Sequence, residues 1–495
     1  MTSAKLFSKF CKENRRQKGW LWILSGLIFT VFTFTFFMQD VLMDSDEMYF
    51  GLYNTKMMWI TLAVAVMIAF QGYGFLLQAK TVDFYYSLPV KRSHLFWGNY
   101  LNGIWVYLIP MLISQHICFF MVCGLGKEGW NELTGYLLWG IFVHVLALFF
   151  FYHLAIMAIY LAGNMFGAVG IFLVLLYCVR IVIDDLLLPL YGKCFETFYQ
   201  IDMINRIRTY GIPWELYSGL NGLYRKMSVN KYAYAVEWSE IVTIVLWNIL
   251  ILAVCVILQK KRTAESAGAP VAFFRIERVL HVVIDISVGL LVGNLLITFA
   301  SGTYQLIAGA AGCVAGSICS YLLLEMAFRM RLKVRFRQKG LIAAEGIVAA
   351  AIVLGFFAGK NSYDTYLPET EKIASVGISL RGVDEKEDYS FTEERLRNVR
   401  LTKKDDIEKM HTWIEEQLLA QKNGQLTDVT IAYHLENGKV VYRNYPIANV
   451  SQIEAFDPIY TTKDYKNGIY SVLSYTDYEN LELTWTNQVE NMTLN

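Results

Sequence analysis

Long blocks of apolar residues recur along most of this 495-residue chain and set the first limit on its fold. A helix needs roughly 20 apolar residues to cross the hydrocarbon core of a bilayer. Such blocks are expected to be helical, because lipid offers the backbone no hydrogen-bond partner. The sequence predicts nine spans, at residues 20–38, 58–77, 100–123, 135–162, 165–183, 240–258, 280–299, 304–326 and 341–358.

The composition is typical of a polytopic membrane protein that ends in a soluble domain. Charged residues make up only 18% of the chain, against about a quarter in a typical soluble protein. Residues 1–360 contain 30 basic and 20 acidic residues, whereas residues 361–495 contain 14 and 23. The acidic segment is therefore a separate compositional unit. The chain has no basic stripe of the kind that binds nucleic acid, so no nucleic-acid partner is expected.

The distribution of basic residues predicts on which side of the membrane each loop lies. Cytoplasmic loops are enriched in Lys and Arg, and 20 such residues fall on one side, against only Lys56 and Lys127 in the short loops opposite. The loop 184–239 has six more, but long loops follow this rule poorly. We therefore predict a plasma-membrane protein with a cytoplasmic N-terminus and an extracytoplasmic C-terminal domain. Its cytoplasmic segments would be 1–19, 78–99, 163–164, 259–279 and 327–340.

The loop after the second span, AKTVDFYYSLPVKRSHLFWGNYLNG, is unusually aromatic and basic. Pro89 breaks the chain, and a helix can start near Arg92 or Ser93 and continue into the third span. Such a surface suits docking on a soluble partner, but it also suits a belt at the lipid headgroups. The residues of interest are Phe84, Tyr85, Tyr86, Leu88, Pro89, Lys91, Arg92, Leu95 and Phe96.

The stretch YYSLPVKRSHLFWGNYL resembles the loop between spans two and three of type-2 ABC exporter permeases. The resemblance implies that this loop is a coupling helix on an ATPase subunit. It also implies a cytoplasmic amphipathic connecting helix at 1–19 and a six-span core at 20–258. The following sequence, QKKRTAESAGAPVAFFRIERV, resembles the linker of Firmicutes-type members with extra spans, so 259–358 would hold a linker and three additional spans.

The sequence lacks the motifs that would indicate catalysis or nucleotide binding. No GxxxxGK[ST] sequence occurs, and the eight cysteines form no CxxC pair. We expect no catalytic residue, metal or cofactor on this chain, and no enzyme activity. The resemblance implies that ATP and Mg²⁺ bind a partner ABC ATPase subunit. It also implies a dimer in the lipid bilayer with a second permease copy or a sister permease.

Several ionisable residues fall inside the predicted spans. Charged groups in lipid are costly and often mark a transport pathway, although pairing or interfacial placement is the commoner explanation. His144 and His153 lie deepest and are the better candidates for an intramembrane pathway. The small residues of GAAGCVAG (309–316) favour helix packing over a pore lining. The other ionisable residues are His116, Asp285, Glu325 and Glu345.

Residues 359–495 predict an α+β domain. Thr402 and Asp405 can begin a helix, whose apolar stripe would be Ile407, Met410, Ile414 and Leu418. Alternating residues at 429–435 predict a strand, and Asn437–Gly438 a tight turn into a second strand. The segment resembles an uncharacterised extracytoplasmic domain of some Firmicutes ABC permeases. His411 and His434 are isolated, which favours surface or packing roles.

The fold class predicted is therefore an all-α polytopic membrane protein with a C-terminal α+β soluble domain. The function expected from the resemblance is the permease subunit of an ATP-driven ABC exporter. The alternative is a membrane sensor, whose extracytoplasmic domain binds a ligand or partner without transport. An intramembrane enzyme is the weakest of the three, because no span holds an HExxH motif or a convincing set of acids.

Overall fold

The computed structural model forms two compact units, each built from two segments of the chain. Unit 1 consists of Met1–Leu186 and Met203–Ala350, and unit 2 of Leu187–Asp202 and Ala351–Asn495. The structure describes residues 3–42, 55–125, 130–199, 238–302, 304–329, 339–380, 395–419, 426–448, 459, 461–469, 483–486 and 491–494.

The described part of the chain before residue 365 is almost entirely helical. The helices are α1 Ser3–Gln17, α2 Gly19–Leu42, α3 Thr55–Tyr73, α4 Ala79–Ser87, α5 Arg92–Leu125, α6 Trp130–Leu161, α7 Met165–Arg180, α8 Leu188–Cys194, α9 Trp238–Lys261, α10 Phe274–Phe299, α11 Tyr304–Arg329 and α12 Lys339–Asp364. Short turns of 3-10 helix occupy Gly74–Leu77 and Ala264–Ser266, and a π-helical stretch, Ile181–Leu187, joins α7 to α8.

Eight helices within the described residues are long and apolar enough to cross a membrane. A ninth is counted only if the segments Phe7–Gln17 and Gly19–Thr35, which meet at a bend of 56°, form one span. The polytopic helical class is thereby confirmed, with eight or nine candidate spans. The spans are Met57–Leu77, Arg92–Met121, Leu137–Leu161, Met165–Cys194, Ile241–Lys261, Phe274–Phe299, Tyr304–Phe328 and Gly340–Asp364.

Most of the helices extend beyond the apolar blocks that predicted them. The third span begins at Arg92 rather than residue 100, and the fifth continues to Cys194 rather than ending at 183. The last helix, α12, runs to Asp364 and so passes through the boundary expected at 358. A helix continues wherever its backbone bonds are made, so hydropathy alone misplaces its ends.

The predicted packing role of the small residues in α11 is confirmed. A Cβ atom added at Gly312 would lie 2.9 Å from the Gly293 Cα of α10, and one at Gly316 would lie 2.8 Å from the Val292 Cβ. Small residues let two helix backbones approach closely where lipid supplies no hydrophobic driving force. Helices α10 and α11 therefore form a closely packed pair.

Unit 2 contains a four-stranded antiparallel sheet and a helix packed on it. The strand order is β2-β1-β3-β4, and the predicted hairpin is confirmed, with Gly438 at a φ of +79° in its turn. The hydrophobic core of unit 2 contains Ile407, Met410 and Ile414 as predicted, while the Leu418 side chain lies outside the described part. The bounds are β1 Ile373–Leu380, β2 Arg400–Leu401, α13 Lys404–Leu419, β3 Leu426–Leu435, β4 Val440–Ala448, α14 Lys463–Ile469, β5 Leu483–Thr486 and β6 Asn491–Leu494.

Contacts within unit 2 also join the sheet to the last turn of α12. The Arg443 guanidinium of β4 lies 4.0 Å from the centre of the Tyr363 ring and 5.4 Å from that of Tyr366. The Thr197 backbone N–H and hydroxyl both donate to Asp364, and the Asn444 N–H donates to the Thr197 carbonyl. A cation over an aromatic face contributes about 0.5–2 kcal/mol, so this sheet is held to the helix end by several polar contacts.

We predict that the Gly316→Leu variant is less stable than the wild type, because the new side chain meets Val292 across the α10–α11 contact. Overpacking of this kind costs about 1–3 kcal/mol. The control is Gly355→Leu in α12, where an added Cβ has open space. Thermal unfolding of the detergent-purified protein should show a lower midpoint for the first variant alone. Equal midpoints for the two variants would contradict the close packing.

Candidate functional site: the α4–α5 loop

The α4–α5 loop, defined here as Ala79 to Phe96, is a short helix, a break and the start of a long helix. Helix α4 ends at Ser87, and Leu88 takes an extended backbone with ψ of 142°. A residue before proline disfavours helical geometry, so Pro89 accounts for the break. Helix α5 then begins at Arg92 and continues without interruption to Leu125. The break and the helix start predicted from the sequence are both confirmed.

The nine loop residues chosen from the sequence do not all reach the surface. Phe84 is 62% exposed, and Pro89, Lys91 and Arg92 are also exposed. By contrast Leu95 is 2% and Phe96 is 1% exposed. The expectation that these two residues belong to a docking surface is corrected: they pack inside unit 1. Tyr85, Tyr86 and Leu88 are half-buried.

Aromatic contacts explain why the loop holds its shape. The Phe96 ring lies 5.7 Å from the Tyr73 ring, and its backbone carbonyl accepts a hydrogen bond from the Tyr73 hydroxyl at 2.9 Å. The Tyr85 ring packs on Phe75 at 4.3 Å. The Arg92 guanidinium lies 4.2 Å from the centre of the Tyr86 ring. The loop is therefore attached to the end of α3 on one side and to the start of α5 on the other.

Helix α1 packs against the first turns of α5, beside the loop. The Phe7 and His94 rings lie 5.2 Å apart. Asn99 of α5 accepts hydrogen bonds from the Asn14 amide at 3.0 Å and from the Lys18 ammonium at 2.7 Å. Helix α1 thus lies within the predicted amphipathic segment 1–19 and contacts the same helix that begins at the loop.

Arg262, at the end of α9, connects the loop to three helix ends. It is buried, and its Nη2 donates to the Leu76 carbonyl at 2.6 Å while Nη1 donates to the Ile159 carbonyl. Its own carbonyl accepts from the Arg92 Nη1 at 3.2 Å. Burial lowers the pKa of Arg262 to about 10, so the group is still charged at neutral pH. The last carbonyls of a helix have no partner within the helix, and this guanidinium supplies one.

The linker after Arg262 folds back along the turn between α6 and α7. The Gly163 carbonyl accepts from the Gly268 N–H at 2.7 Å, and the Leu161 carbonyl accepts from the Ala272 N–H at 2.7 Å. A side chain at Gly163 would collide with the carbonyls of Ser266 and Ala269. The linker therefore packs closely against the turn between α6 and α7, and its Ala264–Ser266 turn also contacts α4. The sequence alone did not predict these roles of Arg262 and Gly163. For Gly163, the Gly-Asn pair between two apolar blocks was a possible signal.

The two pathway candidates of α6 are buried inside unit 1. The His144 Nδ1 lies 3.1 Å from the Thr61 hydroxyl, which lies 2.8 Å from the Tyr107 hydroxyl. The His153 Nε2 lies 2.7 Å from the Tyr100 hydroxyl, and the ring centres of Tyr100 and Phe149 lie 5.6 and 5.8 Å from that of His153. Buried polar groups are normally hydrogen-bonded in this way. The pathway assigned to these residues stays a prediction.

Comparison with known proteins identifies only one region of the chain. Residues 433–494 match a family described as a domain of unknown function, DUF6449. This region covers β4 and part of β3 in unit 2, together with α14 and the β5–β6 hairpin. No curated protein and no solved structure matches the chain.

We predict that the Arg262→Met variant loses stability, because the carbonyls of Leu76 and Ile159 lose their charged donor. A hydrogen bond to a charged group contributes about 1.5–3 kcal/mol. Thermal unfolding of the purified protein should show a midpoint several degrees lower than that of the wild type. The matched control is Arg278→Met, since Arg278 is exposed on α10. Similar midpoints for both variants would contradict the assigned role.

Proposed function

We propose that this chain is the membrane-spanning permease subunit of an ATP-driven exporter of the ABC class. It would couple to a separate ATPase subunit through the α4–α5 loop and act as a dimer with a second permease copy or a sister chain. The observation that carries the proposal is that Phe84 of α4 and Lys91, between α4 and α5, are both exposed. Aromatic residues are enriched at protein interfaces, and a cation at the rim of an interface can complement acidic groups of the partner.

The surroundings of the loop support a coupling role. Any displacement of α4 and Arg92 acts directly on Arg262, which contacts the ends of the second, fourth and sixth predicted spans. Packed side chains and helices transmit force when they move as rigid elements. ATP-driven movement of an ATPase subunit against Phe84 would then reach three spans through one guanidinium.

The contacts within unit 1 also support the proposed orientation. In an alternating topology, the second, fourth and sixth spans all end on the same side of the membrane. The ends of those three spans are in contact, because Arg262 after the sixth span donates to the carbonyls of Leu76 and Ile159 at the ends of the other two. Since basic residues follow the second and sixth of these ends, in segments 78–99 and 259–279, the positive-inside rule favours the cytoplasm for the N-terminus, the α4–α5 loop and the linker. The C-terminal domain would then be extracytoplasmic in the plasma membrane.

The alternative function is a membrane sensor without transport. A specific observation favours it: unit 2 has a hydrophobic core of its own, formed by residues such as Val376, Ile414 and Tyr433. A folded domain of this kind can recognise a ligand or partner. The two functions differ in one measurable respect, since only the exporter requires a stable complex with an ATPase.

The test of the proposed function is co-purification from native membranes. We predict that the tagged wild-type chain purifies with an ATP-hydrolysing subunit. The Phe84→Ala, Lys91→Ala double variant should lose at least about 90% of that ATPase activity, because truncation of an interface anchor costs about 2 kcal/mol or more. Its thermal unfolding midpoint should match that of the wild type, because both side chains are exposed.

The matched control is Phe166→Ala, which removes an aromatic side chain of α7 that is 76% exposed. It should leave co-purification unchanged. A wild-type chain that purifies without ATPase activity would favour the sensor. A double variant that retains its ATPase would contradict docking through the α4–α5 loop.

A further inference from the structure

A second group of polar residues lies in the three helices after the linker, away from the α4–α5 loop. Asp285 of α10, Glu325 of α11 and Glu345 of α12 are all buried, together with His281 of α10. Burying a carboxylate in an apolar environment is costly unless it is paired or binds a metal. In the sequence these acids are single residues of three different predicted spans. In the fold, the three helices that carry them bring their side chains together.

Three side chains of this group are spaced as metal ligands. Glu277 and His281 lie one turn apart on α10, and Glu325 faces them from α11. One ligand atom from each of the three lies within 4.8 Å of the other two. The His281 Nε2 is 4.0 Å from the Glu325 Oε2, which is too long for a hydrogen bond. Two atoms that contact one ion at about 2.0–2.2 Å each can lie at most about 4.4 Å apart, so this separation allows a shared ion.

The other nitrogen of His281 is held as it is in metal sites. Its Nδ1 lies 3.1 Å from the Asp285 Oδ2, and the Ser320 hydroxyl donates to the Asp285 Oδ1 at 2.5 Å. A histidine that binds a metal usually donates its second ring N–H to a carboxylate, which fixes the tautomer and the ring orientation. The Asp285 contact therefore leaves Nε2 directed toward Glu325.

Glu345 provides an independent indication that a cation belongs here. It is 2% exposed, and neither of its carboxylate oxygens has a hydrogen-bond donor among the described residues. Asp285 and His281 are the ionisable groups that interact with its carboxyl. A third buried carboxyl that faces an acid and an imidazole adds negative charge beside the three spaced ligands. A divalent cation would offset that charge.

We propose that Glu277, His281 and Glu325 bind one divalent transition-metal ion of the Zn²⁺ or Mn²⁺ class. Asp285 orients the histidine, and Glu345 faces the site without belonging to the ligand set. One imidazole nitrogen and two carboxylate oxygens favour such ions over Ca²⁺ or Mg²⁺, which take oxygen ligands alone. Glu277 is half-buried and lies in the first turn of α10, so the ion can enter from that end of the helix pair. Bound there, the ion would join α10 to α11.

The test is metal binding by the full-length protein in detergent, independent of any transport assay. The wild type, stripped with EDTA and dialysed against Zn²⁺, should retain about one ion per chain by mass spectrometry. Loading with Co²⁺ should give a visible absorption spectrum typical of histidine and carboxylate ligation. We predict that His281→Gln and Glu277→Gln each weaken Zn²⁺ binding at least about tenfold, and that Asp285→Asn weakens it about 10–100-fold.

Two controls separate ligation from folding. Glu277→Gln changes a half-buried side chain, so its thermal unfolding midpoint without metal should equal that of the metal-free wild type. His116→Gln removes an exposed histidine whose ring donates to the Leu112 carbonyl of its own helix, and it should leave Zn²⁺ affinity unchanged. A wild type that retains neither Zn²⁺ nor Mn²⁺ overturns the proposal. Equal Zn²⁺ affinities for Glu277→Gln and His116→Gln would do the same.

Discussion

The buried guanidinium of Arg262 is the interaction on which the organisation of unit 1 depends. Helix ends leave backbone carbonyls without partners, and both Leu76, in the 3-10 turn after α3, and Ile159, in the last turn of α6, are buried. Arg262 donates to both carbonyls and accepts from Arg92 through its own backbone. A guanidinium has several donors in a rigid plane, so one residue can join elements that are far apart in sequence. The α4–α5 loop takes its position from this contact.

Elements set by local patterns could be predicted from the sequence. Helix α3, the break at Pro89 and the hairpin at Gly438 follow from apolar length, from the geometry before proline and from a turn that needs a positive φ. The ends of the spans could not be predicted in this way. Helix α5 begins in the polar sequence at Arg92 because its backbone bonds continue there, and a hydropathy average does not detect such bonds.

The exposed surface of the α4–α5 loop was predicted only in part, because local sequence does not show contacts between distant residues. Phe84 and Phe96 look alike in the sequence, yet the first is exposed and the second is buried against Tyr73. Which face of a helix is buried depends on its neighbours, and these come from residues distant in sequence. Arg262 shows the same limit. In the sequence it is one of 20 basic residues that indicate orientation, whereas in the fold it is enclosed.

The two polar groups of unit 1, Arg262 and the acids around His281, differ in the source of the partners that stabilise them. Arg262 brings a positive charge to neutral carbonyls that already belong to the chain, so its partners are always present. The group around His281 brings together the buried carboxyls of Asp285, Glu325 and Glu345. A buried excess of negative charge must be balanced by protons or by a cation from solution. Arg262 therefore finds its partners within the chain, whereas the ion proposed at Glu277, His281 and Glu325 would add to the contact between α10 and α11 a cation from the surroundings.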